Sequence, residues 1–168
     1  MLRRLQTQGP AVLVPFAWAF VALAHFDVVP GRGVLVFHVV VALVVAGFTA
    51  RSWDEMASGV LRIWRDVLLV GLVLTVGGIV GLLVIQVRDP FLTVAILGWM
   101  AVPAVGLFYT AKRVAEAERV YLAAAGLSAA GAVVYAVALF PAERPLLLGG
   151  IALALVGQTA GVAYAAFR

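Results

Sequence analysis

The sequence predicts an all-α integral membrane protein of six transmembrane helices arranged as three hairpins, with both termini cytoplasmic. Three observations lead there. Of 168 residues, 65% are hydrophobic and 12% charged, at a mean hydropathy of +1.13. A water-soluble domain of this size lacks the interior to hide so much apolar side chain, so lipid has to solvate much of it. The apolar runs approach the roughly 20 residues that cross ~30 Å of hydrocarbon, far beyond the stripe of a soluble helix. Finally, the charged residues cluster at the ends of those runs.

With charges and proline-bearing turns as punctuation, the spans fall at about 11–29, 34–50, 67–87, 91–111, 120–140 and 146–167, in one domain over 1–168. The first has the outline of a secretory signal, with Arg3 and Arg4 ahead of an apolar core and Val21-Ala22-Leu23-Ala24 as a cleavage-like string. Its apolar run continues to Val29, which favours a retained span. After the second span, Ser52 and Glu55 form a capping-box pattern. Trp53, Met56, Val60 and Trp64 then recur at helical spacing opposite Asp54, Glu55, Arg62 and Arg65. This predicts a short amphipathic helix over about 53–65, lying in the interface as an anchor or offering a docking face. Pro103 removes a backbone hydrogen bond and predicts a kink in the fourth span.

Charge sets the orientation. The tight loops at Pro30-Gly31-Arg32-Gly33, Arg88-Asp89-Pro90 and Pro141 to Pro145 carry three basic residues, Arg32, Arg88 and Arg144. The opposite side carries nine: Arg3, Arg4, Arg51, Arg62, Arg65, Lys112, Arg113, Arg119 and Arg168. That side is read as cytoplasmic. The net charge of +4 is therefore a matter of topology, and no nucleic-acid partner is expected. The outer arginines are 56 residues apart in each case, which fits a triplicated hairpin as well as any regular six-span chain.

Helices in lipid associate through small residues that let backbones approach. Gly77 and Gly81 in the third span, Gly157 and Gly161 in the sixth, and the row Ala124, Ser128, Ala132 in the fifth have that spacing. They serve either the bundle itself or self-association.

Polar residues within spans point to chemistry, because lipid penalises them unless they are partnered. His25 and His38 each stand about four residues from the first turn, ~6 Å along the helix at 1.5 Å per residue. At matching depth, with Asp27 nearby, they are candidates for a transition metal, a heme axial ligand or a proton carrier. Equally, each has the position of a structural histidine bonded to a carbonyl, and helices packed 8–10 Å apart leave little room for a macrocycle. Gln158, Thr159 and Thr75 are candidates for interhelical hydrogen bonds or a cavity lining, and Trp18 and Trp99 for an aromatic or isoprenoid pocket. Gln86, Arg88 and Asp89 form either an entrance or a solvated turn.

Cysteine is absent, which removes disulfide, thiolate-metal and thiol chemistry. The sequence has no HExxH, no GxSxG and no aspartate pair within an apolar span. The expected function is that of a non-enzymatic polytopic subunit of the cell membrane, surrounded by lipid. It partners a larger membrane complex or a second copy, or binds a small apolar ligand in its bundle. The alternatives are a heme- or metal-binding redox or sensing protein using His25 and His38, and a small solute transporter or channel. In size, span number and orientation the chain looks like the substrate-binding components of vitamin-uptake transporters, a likeness of architecture to which no motif residue belongs.

Overall fold

The computed structural model describes residues 2–84, 88–140 and 143–167, with residues 2–10 as backbone only. Six α-helices follow one another: α1 Leu2–His25, α2 Gly31–Arg51, α3 Gly59–Leu83, α4 Arg88–Ala111, α5 Glu118–Ala138 and α6 Arg144–Ala166, with a 3-10 turn at Ala115–Ala117. No strand occurs among the described residues. α2, α3, α4, α6 and the segment Ala115–Ala138 that contains α5 are long and apolar enough to cross a membrane, and α1 contributes the shorter apolar run Ala11–His25.

Local chemistry sets the helix ends. α1 closes with Val28 N–H donating to the Leu23 carbonyl and Asp27 N–H to that of Ala24. This paired closure requires a left-handed residue, and Asp27 fills the place at φ 59 where glycine is commoner. Pro30, extended at ψ 154, starts α2 three residues earlier than the sequence reading had it. Pro145 stands in the first turn of α6, where its missing N–H has no intrahelical acceptor. Pro103 lies inside α4 without ending it.

The amphipathic helix expected over 53–65 does not form. Ser52 caps the C-terminus of α2, its N–H bonded to the Phe48 carbonyl, instead of starting a helix. Residues 52–58 make a turn in which Met56 N–H bonds back to the Ser52 carbonyl. Ser58 is extended and Gly59 is left-handed at φ +62, so the helical register shared on paper by Trp53, Met56, Val60 and Trp64 is cut in the middle. Residues 59–65 are the first turns of α3.

The contacts gather into two compact units, Met1–Val28 with Pro103–Arg168, and Val29–Val102. In the first unit, α5 and α6 lie antiparallel with backbones touching. A Cβ on Gly131 would stand 2.6 Å from the Gly150 carbonyl oxygen, and one on Gly157 would stand 2.6 Å from that of Ala124. α1 packs along α6. In the second unit, α2 packs on α3, and the glycines of α3 lie under rings: Gly71 under Trp99, Gly78 under His38 and Gly81 under Phe91.

Burial on α5 and the outer faces departs from the pattern of a water-soluble bundle, although Met100, Leu107 and Ile151 are fully buried. The buried positions of α5 are Tyr121, Ala124, Ala125, Ser128, Gly131, Tyr135 and Ala138, whereas Val73, Leu43 and Val133 are 71%, 68% and 63% exposed. Small and polar residues inside with large aliphatic ones outside is the arrangement a lipid solvent favours. On α2, Thr49 is the one buried residue.

The contact predicts opposite outcomes at neighbouring glycines. Gly150→Ala sets its methyl 2.8 Å from the Gly131 oxygen and the Tyr135 nitrogen, whereas a Cβ on Gly149 meets nothing within 4 Å. Denaturation in detergent should show Gly150→Ala destabilised by about 1–3 kcal/mol. Gly149→Ala should be unchanged or more stable by up to about 1 kcal/mol.

Candidate functional site

The α1, α5 and α6 contact carries three polar layers, the first two placed by a seven-residue repeat. Trp18 and His25 share one face of α1, and Ser128 and Tyr135 share one face of α5. Seven residues are nearly two full turns, so these two layers lie ~10 Å apart.

In the inner layer the Trp18 indole N–H donates to Gln158 Oε1 at 3.0 Å, and Gln158 Nε2 donates to Ser128 Oγ at 2.9 Å. All three residues are buried. One carboxamide thus joins three helices, using its acceptor toward α1 and its donor toward α5.

The next layer joins His25 to Tyr135. His25 Nδ1 lies 2.8 Å from the Val21 carbonyl oxygen, which can only accept, so the neutral ring carries its proton on Nδ1. Nε2 then holds the lone pair and accepts from the Tyr135 hydroxyl at 2.9 Å. Both ring nitrogens are engaged. In the outermost layer, Arg144 Nη2 donates to Asp27 Oδ2 at 2.7 Å, with both side chains exposed.

The remaining expected residues are placed differently. His38 belongs to the second unit. Its Nδ1 donates to the Val34 carbonyl at 2.9 Å, and its Nε2 edge lies over Gly78, where a Cβ would be 2.8 Å from Nε2. Thr75 donates to the Gly71 carbonyl at 2.8 Å and accepts from the Trp99 indole N–H at 3.0 Å. Thr159 Oγ1 is buried and has no hydrogen-bond partner among the described residues. Gln86 lies outside the described residues; Arg88 and Asp89 are exposed in the first turn of α4. Among the described residues, no three His, Asp or Glu side chains come together as a metal ion would need.

The small-residue rows land one position off in two places. Gly78, and not Gly77, takes the close contact on α3, while Gly77 meets only Phe91 Cδ1, at 3.7 Å. Gly131 does so on α5, and Ala132 is half-buried. Gly157 meets the α5 backbone, whereas Gly161 meets the Leu107 side chain and the Ala124 methyl. Close contacts recur in steps of seven, Gly71 to Gly78, Ala124 to Gly131 and Gly150 to Gly157. That is the seam period of nearly aligned helices, and it runs beside the four-residue step that Gly157 and Gly161 keep.

Sequence reasoning passed over Tyr135 and the Asp27–Arg144 pair. Two signals bear on them. Tyr135 repeats the Trp18-to-His25 interval when counted from Ser128, and Asp27 and Arg144 both fall beside loops expected on one side. Comparison with known proteins gives no relative: no protein family, no curated protein and no solved structure matches this chain.

The inner layer is open to a double-mutant cycle. Gln158→Leu removes the acceptor of the Trp18 N–H and a donor to the Ser128 hydroxyl, and should cost about 1–2 kcal/mol in a detergent unfolding assay. Trp18→Phe combined with Gln158→Leu should cost less than the sum of the two singles, by about 0.5–2 kcal/mol. Strict additivity would mean that the indole and the carboxamide do not interact.

Proposed function

We propose that the protein is a non-catalytic multi-pass subunit of the cytoplasmic membrane, with both termini inside, and that it works by offering its outward helix faces to a membrane partner. The observation that carries this proposal is how its in-span polar groups are used. Trp18, Gln158 and Ser128 satisfy one another, as do His25 and Tyr135, and Trp99 and Thr75. Groups already bonded to each other are poorly placed to read a solute or ligate a metal, because either role would first require breaking a buried hydrogen bond. Thr159 Oγ1, buried without a partner among the described residues, is an exception, and the broadest surface left for recognition is the apolar exterior, most of all α2, where a single residue is buried.

The heme- or metal-binding alternative draws less support. His25 has both nitrogens engaged, Asp27 is paired with Arg144, and His38 turns its Nε2 edge onto α3. The transporter alternative would need polar groups aimed into a water-filled path, and the pairing above works against that.

Extraction in mild detergent followed by native mass spectrometry tests the proposal. The expected result is a stoichiometric assembly with another membrane polypeptide, without a Soret band and without stoichiometric metal. A Soret band or bound metal that disappears in His25→Ala or His38→Ala would establish the cofactor alternative instead. Solute flux in liposomes holding this polypeptide alone would establish transport. A tag after Arg168 should be reachable only once the cells are opened.

A further inference from the structure

The α2–α3 turn has a chemistry unrelated to the polar layers. Its backbone is anchored inward by Ser52 and Met56, both buried, while Trp53 stays 45% exposed. The anchored turn holds the Trp53 ring against α3, where the Arg65 guanidinium carbon lies 4.5 Å from the ring centroid. Cation–π stacking of this kind fixes the plane of a guanidinium and orients its edge for a bidentate oxygen acceptor such as phosphate.

Carboxylates are available nearby but are not used. Asp54 and Glu55 sit in the turn and Asp66 follows Arg65 directly. Even so, no ion pair among the described residues involves Arg62 or Arg65. Arg62, one turn earlier on the same side of α3, is exposed. Arg65 Nε is itself buried without an acceptor. The guanidinium therefore keeps hydrogen-bonding capacity that no acceptor among the described residues takes up at Nε. Arg51, in the last turn of α2, adds positive charge at the same end of the helix pair.

We infer that this turn is a binding site for the phosphate of an anionic phospholipid, with Arg65 as the oriented donor, Trp53 as its backing and Arg62 as a second charge. The inference rests on the membrane assignment above, and the site lies on the side assigned to the cytoplasm, where anionic lipids concentrate. Trp53 acts as a positioning residue, because it reaches the phosphate only through Arg65.

The test uses the full chain in nanodiscs of mixed phosphatidylglycerol and phosphatidylcholine, with retained lipid read by native mass spectrometry. Wild type should retain phosphatidylglycerol preferentially. Arg65→Gln should lower that retention on the order of fivefold, and the double change with Arg62→Gln by the product of two such factors. Trp53→Ala should lower it while leaving the charge intact, and Asp66→Asn should leave it equal or higher. Arg119→Gln, in the first turn of α5, should change it little.

Equal retention of the two lipids, or an Arg119→Gln loss as large as that of Arg65→Gln, would overturn the site in favour of general electrostatic attraction. Displacement of the lipid by millimolar inorganic phosphate would overturn the lipid assignment and leave a free-phosphate site. If Arg65→Gln does not fold, Trp53→Ala and Arg65→Lys carry the test. Arg65→Lys keeps the charge, gives up the stacked plane, and should fall between wild type and Trp53→Ala. Recovery of the protein from an aqueous fraction without detergent would sink the membrane assignment itself, whichever lipid is preferred.

Discussion

Backbone contact between α5 and α6 is the constraint from which the polar layers follow. At Gly131, Gly150 and Gly157 there is no room for a methyl group, because the atoms it would strike are carbonyl oxygens and amide nitrogens of the opposite helix. At that separation Ser128 on one helix and Gln158 on the other are within 2.9 Å. A wider spacing would leave a serine hydroxyl and a carboxamide in a low-dielectric interior without each other. Glycine thus acts on this site through distance, by letting short polar side chains span the gap between helices.

The second unit solves the same packing problem with different pieces. There the glycines of α3 receive rings from neighbouring helices, and Thr75 supplies an acceptor for the indole N–H that comes with one of them. A ring edge seated on a glycine gains dispersion contact that a Cβ would displace. Trp99 and His38 are therefore held by shape as well as by hydrogen bonds, and a histidine in such a seat serves as packing material even though its ring is polar. In both units many large aliphatic side chains are exposed, among them Leu43, Val73 and Val133, while Val67, Met100, Leu107 and Ile151 are buried.

Between α2 and α3 the same economy of side chains yields a different result. The segment has the composition of an interfacial helix, yet a serine, a left-handed glycine and two inward anchors fold it into a turn. As a helix, Trp53 and Arg65 would stand twelve residues and about 18 Å apart along one axis. As a turn followed by a helix, they stack. The cation is thereby oriented by an aromatic face instead of being neutralised by the carboxylates around it.

The sequence alone determined the helical class and the long apolar runs, because hydropathy and charge placement act locally and need no partner to be read. It also marked Trp18, Gln158, His25, Thr75 and Trp99 as unusual, since a polar group in an apolar run stands out whatever surrounds it, and Ser128 only as a small residue. Tertiary structure alone decided who meets whom. Gln158 could have turned to a cavity, and the choice of Trp18 and Ser128 depends on three helices meeting at one level. His25 reads identically as a ligand or as an acceptor until Tyr135, 110 positions away, is placed beside it. The contact glycines were legible as a class but not by position, because a four-residue row and a seven-residue seam share many members. Only the way two helices lie against each other selects Gly131 over Ala132, and Gly78 over Gly77.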